Sequence, residues 1–179
     1  PGTVLRLPMV YGPGDPEYRF FSRLKRMDDQ RPVILLDEGT ARWRGTRGFV
    51  ENVAAAIALA AVDGHARGRI YNVGDAVAWS ETEWTKELGR VVGWHGEVVA
   101  VSRHRLPAPL LLMGDVDTDQ HWVVDTSRIR RELGYRDVIS HEKAIGQTVD
   151  WLRSHPPSDL DPSRFDYAAE DTVLAQRAP

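Results

Sequence analysis

The chain has 179 residues, a formal net charge of −3 and no cysteine. The length fits one domain, and the slight acidic excess excludes the strongly basic surface of a nucleic-acid-binding protein. The lack of cysteine excludes disulfides and thiolate catalysis, so we expect a cytoplasmic protein in a reducing compartment. The longest apolar run, residues 53–62, is too short to cross a bilayer, and we expect no membrane partner.

The first part of the chain alternates short apolar runs with turn residues. Its predicted elements are a strand at 4–7, a loop at 8–14, a helix at 17–27, a strand at 33–36 and a loop at 37–48. Pro8 ends the first apolar run, and Gly12 and Gly14 make the following loop tight. Parallel strands commonly place a binding site at such a carboxyl end.

The rest of the chain continues this alternation. Its predicted elements are helices at 51–62, 80–92 and 126–133, strands at 69–74 and 98–101, and a last helix from 140. Ser80 and Glu83 have the spacing of a capping box, and Gly93 ends the helix that they begin. Helices that alternate with short strands indicate an α/β protein. We divide the chain into residues 1–153 and a tail, residues 154–179, that is linker-like and then either a short helix or loose.

Three short motifs resemble known sites but lack an essential residue. The loop at 12–17 begins like a dinucleotide fingerprint, but Glu17 replaces the third glycine. The acidic run at 115–119 begins like a calcium loop, but Gln120 and Thr126 replace the required glycine and glutamate. His141 begins an H-E-x-x-H pattern whose second histidine is replaced by Ile145. We therefore predict no metal site.

An arginine group remains as a candidate binding site. Arg42, Arg44 and Arg47 lie on a segment punctuated by glycines. Their guanidinium groups can clamp a phosphate or carboxylate, or can pair with surface acids as a solvated loop. Trp43 can stack on a ligand ring or pack internally.

The order of motifs resembles a known family. The runs VLRLPMVYGPGD, ARWRGTRGFVENVAAAIALA, RIYNVGD, DTSRIRRELGY and TVDWL occur in this order. Together they are similar to the C-terminal half of an extended short-chain dehydrogenase/reductase of the NAD-dependent epimerase/dehydratase family, over nearly all of residues 3–153. The resemblance implies an incomplete Rossmann-type fold, the C-terminal portion of a doubly wound parallel sheet, with a small substrate-binding lobe.

The resemblance also implies site residues. Pro8, Met9 and Val10 match the segment that passes beside the nicotinamide of NAD or NADP, so we assign them to cofactor binding. Arg47 matches an arginine that often grips a substrate anion, and we assign Tyr11, Arg44 and Arg47 to substrate binding. No residue of this chain is assigned a catalytic role.

Two departures from the family narrow the expected substrate. Glu51 and Asn52 stand where family members usually carry an aspartate pair. The stretch 112–115 lacks the arginine of the R-P-G-D motif found in many nucleotide-sugar enzymes. This weakens a nucleotide-diphosphate sugar as the substrate and leaves other sugars, polyols and carbonyl compounds open.

A third departure concerns catalysis. None of the five tyrosines is followed four residues later by lysine, so the family's Tyr-x-x-x-Lys proton-transfer pair does not occur in these 179 residues. A glycine-rich phosphate turn is also lacking. We therefore expect that the chain is the C-terminal part of a larger NAD(P)-dependent enzyme and is inactive alone, with its missing N-terminal half or a second copy as partner. The alternative is a non-catalytic module that binds a small molecule or oligomerises.

Overall fold

The computed structural model describes residues 2–114 and 116–176. The chain divides into two compact units. The first unit comprises Pro1–Arg19, Arg44–Trp79 and Trp122–Ser154, and the second comprises Phe20–Trp43, Ser80–His121 and His155–Pro179. The strands are β1 (Val4–Arg6), β2 (Met9–Tyr11), β3 (Val33–Asp37), β4 (Arg47–Phe49), β5 (Ile70–Asn72) and β6 (Glu97–Val101). The helices are α1 (Phe21–Asp28), α2 (Glu38–Arg42), α3 (Val50–Val62), α4 (Glu81–Val92), α5 (Ser127–Leu133), α6 (His141–Ser154) and α7 (Tyr167–Ala175).

The first unit contains two short parallel strand pairs. Strand β1 pairs with β5, and strand β2 pairs with β4. Leu5 and Tyr71 lie opposite each other in the first pair, on the face that packs against the helices. The core beneath them is formed by side chains of α3, α5 and the strand ends, namely Val53, Ala56, Ala60, Ala66, Tyr71, Val73, Ile129, Leu133 and Tyr135.

Two short strands lie on either side of Pro8, where the sequence predicted one strand at residues 4–7. Pro8 has no N–H group to donate to a strand ladder, and the pairing partner changes at this residue. The carbonyl of Arg6 accepts from Val73 N–H at 2.9 Å, whereas Met9 N–H donates to the carbonyl of Thr46 at 3.3 Å. The prediction of a loop from Pro8 onward is therefore wrong over Met9–Tyr11, which is strand β2, and the turn begins at Gly12.

The predicted helices of the first unit are confirmed. Helix α3 buries one stripe that includes Val53, Ala56 and Ala60, and its alanines combine high helix propensity with small side chains. Helix α6 buries Ile145, Val149 and Leu152 and has further buried residues beside them. Helix α3 directly follows strand β4, whereas α6 follows helix α5.

The second unit is built on the parallel pair of β3 and β6. Their register joins five residue pairs, from Val33 opposite Glu97 to Asp37 opposite Val101. The predicted capping box is confirmed, because Ser80 accepts from the Glu83 N–H and Glu83 accepts from the Ser80 N–H. Helix α2 lies inside the predicted loop at 37–48, where the side chain of Asp37 caps it.

The C-terminal segment is ordered against the second unit. It contains a 3-10 turn at Pro162–Phe165 and then α7. Glu170 is buried and pairs with Arg26 at 2.6 Å, and Arg31 pairs with Asp171. Val173 packs with the core residues Leu35, Val101 and Leu106. The boundary at residue 153 stays a prediction about domain limits.

Candidate functional site

A cavity opens where strand β2 ends. We call it the loop cavity; it has a volume of about 400 Å³ and is lined by Leu7, Pro8, Val10, Tyr11, the turn at 12–17, Arg19 and Val50. Two of the three residues assigned to the cofactor, Pro8 and Val10, line this cavity, and Met9 lies between them in the chain. A volume of this size can hold a nicotinamide-sized ring and its neighbouring group rather than a whole dinucleotide.

The turn of the loop cavity requires glycine at its first position. Gly12 has a φ of +128°, and a β-carbon there would lie 2.8 Å from the Phe49 ring and 2.9 Å from Val50. A substituted residue would therefore be strained and would collide with the start of α3. Gly14 has a φ of +83°, but a β-carbon at that position would have no neighbour within 4 Å.

Asp15 and Arg19 hold the rest of this turn. Asp15 is buried, and its carboxylate accepts from the N–H groups of Glu17 at 3.1 Å and Arg19 at 3.2 Å. The Arg19 guanidinium pairs with that carboxylate and also donates to the carbonyl of Val10 at 2.9 Å. The turn is thus tied back to the last residues of β2.

Of the residues assigned to the substrate, Tyr11 is the most enclosed. It is only 1% exposed, and its ring centroid lies 5.6 Å from that of Phe49. Burial raises the pKa of Tyr11, and the charges of Asp75 and Asp137 raise it further, while Arg47 opposes them. The hydroxyl therefore stays protonated at neutral pH.

The three arginines do not lie in one unit. Arg47 is 6% exposed and sits opposite Met9 in the β2–β4 ladder. Arg44 donates to the carbonyl of Ala78 at 2.8 Å, also in the first unit. Arg42 belongs to the second unit, where it pairs with Asp119 at 2.8 Å.

Of the two alternatives predicted for Trp43, stacking on a ligand ring or internal packing, the structure shows internal packing. Trp43 is fully buried in the second unit, and its indole N–H donates to the Gln120 carbonyl at 2.9 Å. The acidic run at 115–119 begins with Asp115, which lies outside the described residues. Among the residues that the structure describes, no group of three or more acidic or histidine side chains is arranged to hold a metal ion.

A second cavity in the first unit was not predicted. We call it the Asp75 cavity; its volume is about 230 Å³, and its walls include Tyr11, Asn52, Asp75, Trp79, Asp137 and His141. Tyr11 lines both cavities. The Asp75 cavity is thus adjacent to the candidate substrate residue, although no motif in the sequence indicates it.

Asp75 is a titratable group of this cavity. Burial raises the pKa of its carboxyl to about 7, and the charge of Asp137 adds to the shift. Arg130, the N–H of Phe49 and Arg47 act in the opposite direction. The Oδ2 atom of Asp75 is buried and has no hydrogen-bond partner in the described structure, which agrees with a carboxyl group that is easily neutralised.

The frame of the Asp75 cavity is closed by hydrogen bonds. The Asn52 amide donates to the Ile139 carbonyl at 3.0 Å and accepts from the Ile139 N–H at 2.8 Å. Arg130 donates to both carboxylate oxygens of Asp137 at 3.0 and 3.1 Å and to the Gly74 carbonyl at 3.0 Å. Asn52, which departs from the family's aspartate pair, therefore links α3 to the segment before α6.

Comparison with known proteins finds the same family resemblance. Residues 1–74 match the model of the NAD dependent epimerase/dehydratase family. The predicted family resemblance is confirmed. Two curated relatives are 28% identical: the uncharacterized protein YbjS of Escherichia coli over 172 residues and the uncharacterized protein y4nL of Sinorhizobium fredii over 171 residues. The matches cover 86% and 83% of this chain but 50% and 46% of those proteins, so the chain spans about half the length of the curated relatives it matches.

Solved structures show the same fold. A UDP-glucuronic acid 4-epimerase from Bacillus cereus, in complex with UDP-glucuronic acid and NAD, has a TM-score of 0.61 at 19% identity and is matched over 45% of its chain. RMD from Pseudomonas aeruginosa, complexed with NADPH, has a TM-score of 0.60 at 16% identity and is matched over 48% of its chain. Each comparison covers 85% of this chain. The fold is therefore α/β and matches about half of a Rossmann-type protein, as expected.

No helix among residues 2–114 and 116–176 has both the length and the apolar character needed to cross a membrane.

Proposed function

We propose that this chain is the C-terminal, substrate-binding portion of an NAD(P)-dependent epimerase, dehydratase or reductase that acts on a sugar or a related carbonyl compound or polyol. The observation that carries the proposal is the loop cavity, which brings Pro8, Val10 and Tyr11 together at the carboxyl end of a parallel strand. Ligands of open α/β sheets commonly bind at this end. The structural relatives named above include complexes with NAD and NADPH.

In this proposal the backbone of Pro8, Met9 and Val10 holds the nicotinamide end of NAD or NADP. The chemistry that NAD or NADP would supply at this place is hydride transfer to or from the substrate carbon. Gly12 leaves room for the turn to pack against the start of α3, because a β-carbon would collide there.

The proposed substrate residues have separate tasks. Tyr11, with its raised pKa, donates a hydrogen bond from a neutral phenol and does not act as a base. Arg47 supplies positive charge beside β2 for a substrate anion, and Arg44 fixes the neighbouring segment through the Ala78 carbonyl. Proton transfer is assigned to no residue of this chain.

The proposed substrates are a narrower class than the substrates of the whole family. The structural relative from Bacillus cereus named above is a UDP-glucuronic acid 4-epimerase in complex with UDP-glucuronic acid. Here residues 112–115 lack the family's nucleotide-binding arginine, so we propose a sugar or carbonyl compound without a nucleotide diphosphate. A test with UDP-glucose beside the free sugar separates the two classes directly.

The β1–β5 pair exposes apolar side chains on one face, which is typical of a surface covered by a partner. Val4 and Ile70 lie opposite each other and are 49% and 45% exposed. Among the described residues each of these strands is bonded to the other alone, which leaves two open edges. Open apolar edges recruit further strands. We propose that an N-terminal half or a second copy of the chain covers them, in the cytoplasm.

The test measures cofactor binding by the full-length protein and by the 179-residue chain. We expect saturable binding of NADH or NADPH, followed by fluorescence, for the full-length protein and no turnover by the chain alone. Arg47→Lys should weaken substrate binding, whereas the matched control Arg42→Lys in the second unit should not. A full-length protein that binds neither cofactor would overturn the proposal and would favour a non-catalytic binding or oligomerising module.

A further inference from the structure

We infer that Asp15 and Arg19 form a positioning pair that fixes the backbone of the nicotinamide side of the loop cavity. The inference rests on the proposed function and adds to it two residues that were not assigned a role from the sequence. The Arg19 guanidinium joins the Val10 carbonyl, at 2.9 Å, to the Asp15 carboxylate. It therefore links the end of β2 directly to the turn that follows.

Asp15 acts as the centre of the turn. Its Oδ1 atom accepts from the Glu17 N–H and its Oδ2 atom accepts from the Arg19 N–H. Its own N–H donates to the Gly12 carbonyl at 3.1 Å, and its carbonyl accepts from Tyr18 N–H at 3.2 Å. The buried Asp15 carboxylate and backbone together order the turn. The same carboxylate also pairs with the Arg19 guanidinium.

The turn also contains a strained residue. Tyr18 has a φ of +48°, which residues with a side chain rarely adopt. Its ring stacks on Trp151 of α6 with centroids 5.6 Å apart and an interplanar angle of 26°. Strain of this kind persists where the surroundings hold a segment firmly, and it occurs often at functional sites.

Both contacts of Arg19 come from one guanidinium nitrogen. Its Nη1 atom donates to the Val10 carbonyl and to the Asp15 carboxylate, and the rigid planar group fixes the direction of both bonds. Its side chain is 28% exposed and lines the loop cavity beside Val10. Lysine would carry the charge but would not hold the same two acceptors in a fixed geometry.

The experiment compares two cofactors in the full-length protein. The variants are Arg19→Ala, Arg19→Lys and Asp15→Asn, with Arg67→Ala, an exposed arginine of the same unit, as the control. Calorimetry gives the dissociation constants of NAD and of its 3-acetylpyridine analogue, in which an acetyl group replaces the carboxamide. Because Arg19→Ala removes both the hydrogen bond to the Val10 carbonyl and the ion pair with Asp15, it should weaken NAD binding about tenfold or more.

The decisive readout is the difference between the two cofactors. If the pair positions backbone that contacts the carboxamide, the loss should be several times smaller with the analogue, and Arg19→Lys should recover only part of the affinity for NAD. Hydrogen exchange of the cofactor-free protein should show faster exchange at the Glu17 and Arg19 amides in Asp15→Asn. If Arg19→Ala does not fold, NAD and its analogue are compared in Arg19→Lys instead.

The outcomes separate the two claims. Equal losses with both cofactors, or NAD affinity unchanged in all three variants, would overturn the positioning role while leaving the proposed function intact. A wild-type protein that binds neither NAD nor NADP would overturn the proposed function itself, and the positioning role with it.

Discussion

Replacing Asp75 with asparagine should remove a large part of the pH dependence of stability. The folded-state pKa of about 7 lies above the ordinary value of 3.8. Between these two values the native state keeps a proton that the unfolded chain has released. Stability is therefore fully present below pH 3.8 and falls as pH rises towards 7, since the state with more bound protons is favoured by acid. Asparagine cannot titrate, so it resembles the neutral acid at every pH.

The magnitude follows from the size of the shift. One pKa unit corresponds to about 1.4 kcal/mol, and about two units of the shift lie between pH 5 and pH 7. The difference in unfolding free energy between Asp75→Asn and wild type should therefore grow by roughly 2–3 kcal/mol from pH 5 to pH 8. Any constant cost of placing an amide beside the buried Oδ2 position is the same at both pH values and cancels.

Urea unfolding followed by tryptophan fluorescence at pH 5, 6, 7 and 8 measures this difference. The control Asp137→Asn removes the neighbouring charge that raises the Asp75 pKa, so the midpoint of the pH dependence should move to lower pH. It should do so even though the variant loses the ion pair with Arg130 at every pH. Parallel pH profiles for wild type and Asp75→Asn would refute the burial argument.

Four other substitutions test the local structure. Gly12→Ala should destabilise the protein by about 2–4 kcal/mol through its positive φ and its clash, whereas Gly14→Ala should cost only about 1–2 kcal/mol through φ; urea unfolding compares them. Glu170→Gln should cost about 3 kcal/mol because it leaves the Arg26 charge buried opposite a neutral group, and limited proteolysis should then cut near α7 at a lower urea concentration. Ser80→Ala should lower the thermal midpoint by the equivalent of about 1 kcal/mol, and a cost near zero would contradict the capping box.

The elements that depend on residues close together in the sequence were predicted correctly. The Ser80–Glu83 box needs only side chains three residues apart, and α3 follows from alanine content and periodicity. Helix α2 was missed because it has five residues and depends on a cap from Asp37 at the end of β3. Strand β2 was missed because proline suggests an end to pairing, whereas here the chain exchanges one partner strand for another.

The two cavities also differ in how far the sequence could predict them. The resemblance pointed to Pro8, Val10 and Tyr11 because their motif is continuous in the sequence, and two of the three assigned cofactor residues do line the loop cavity. The pKa of Asp75 depends instead on burial and on the charges of Asp137 and Arg130, which are remote along the chain. Such a group becomes visible only once the fold brings those segments together.

Tyr11 connects the two cavities and limits the chemistry that this chain can supply. A tyrosine acts as a base near neutral pH only when its surroundings favour the phenolate. Arg47 is the cation that favours it here, but burial and the charges of Asp75 and Asp137 outweigh that effect and raise the Tyr11 pKa. The negative charge of Asp75, which is present once the pH exceeds its pKa of about 7, is part of this effect. The proposed reaction therefore needs a proton-transfer group other than Tyr11, and the Tyr-x-x-x-Lys pair that serves this purpose in the family does not occur in these 179 residues. This electrostatic effect, rather than the family resemblance alone, is why we propose that the chain works together with a partner segment.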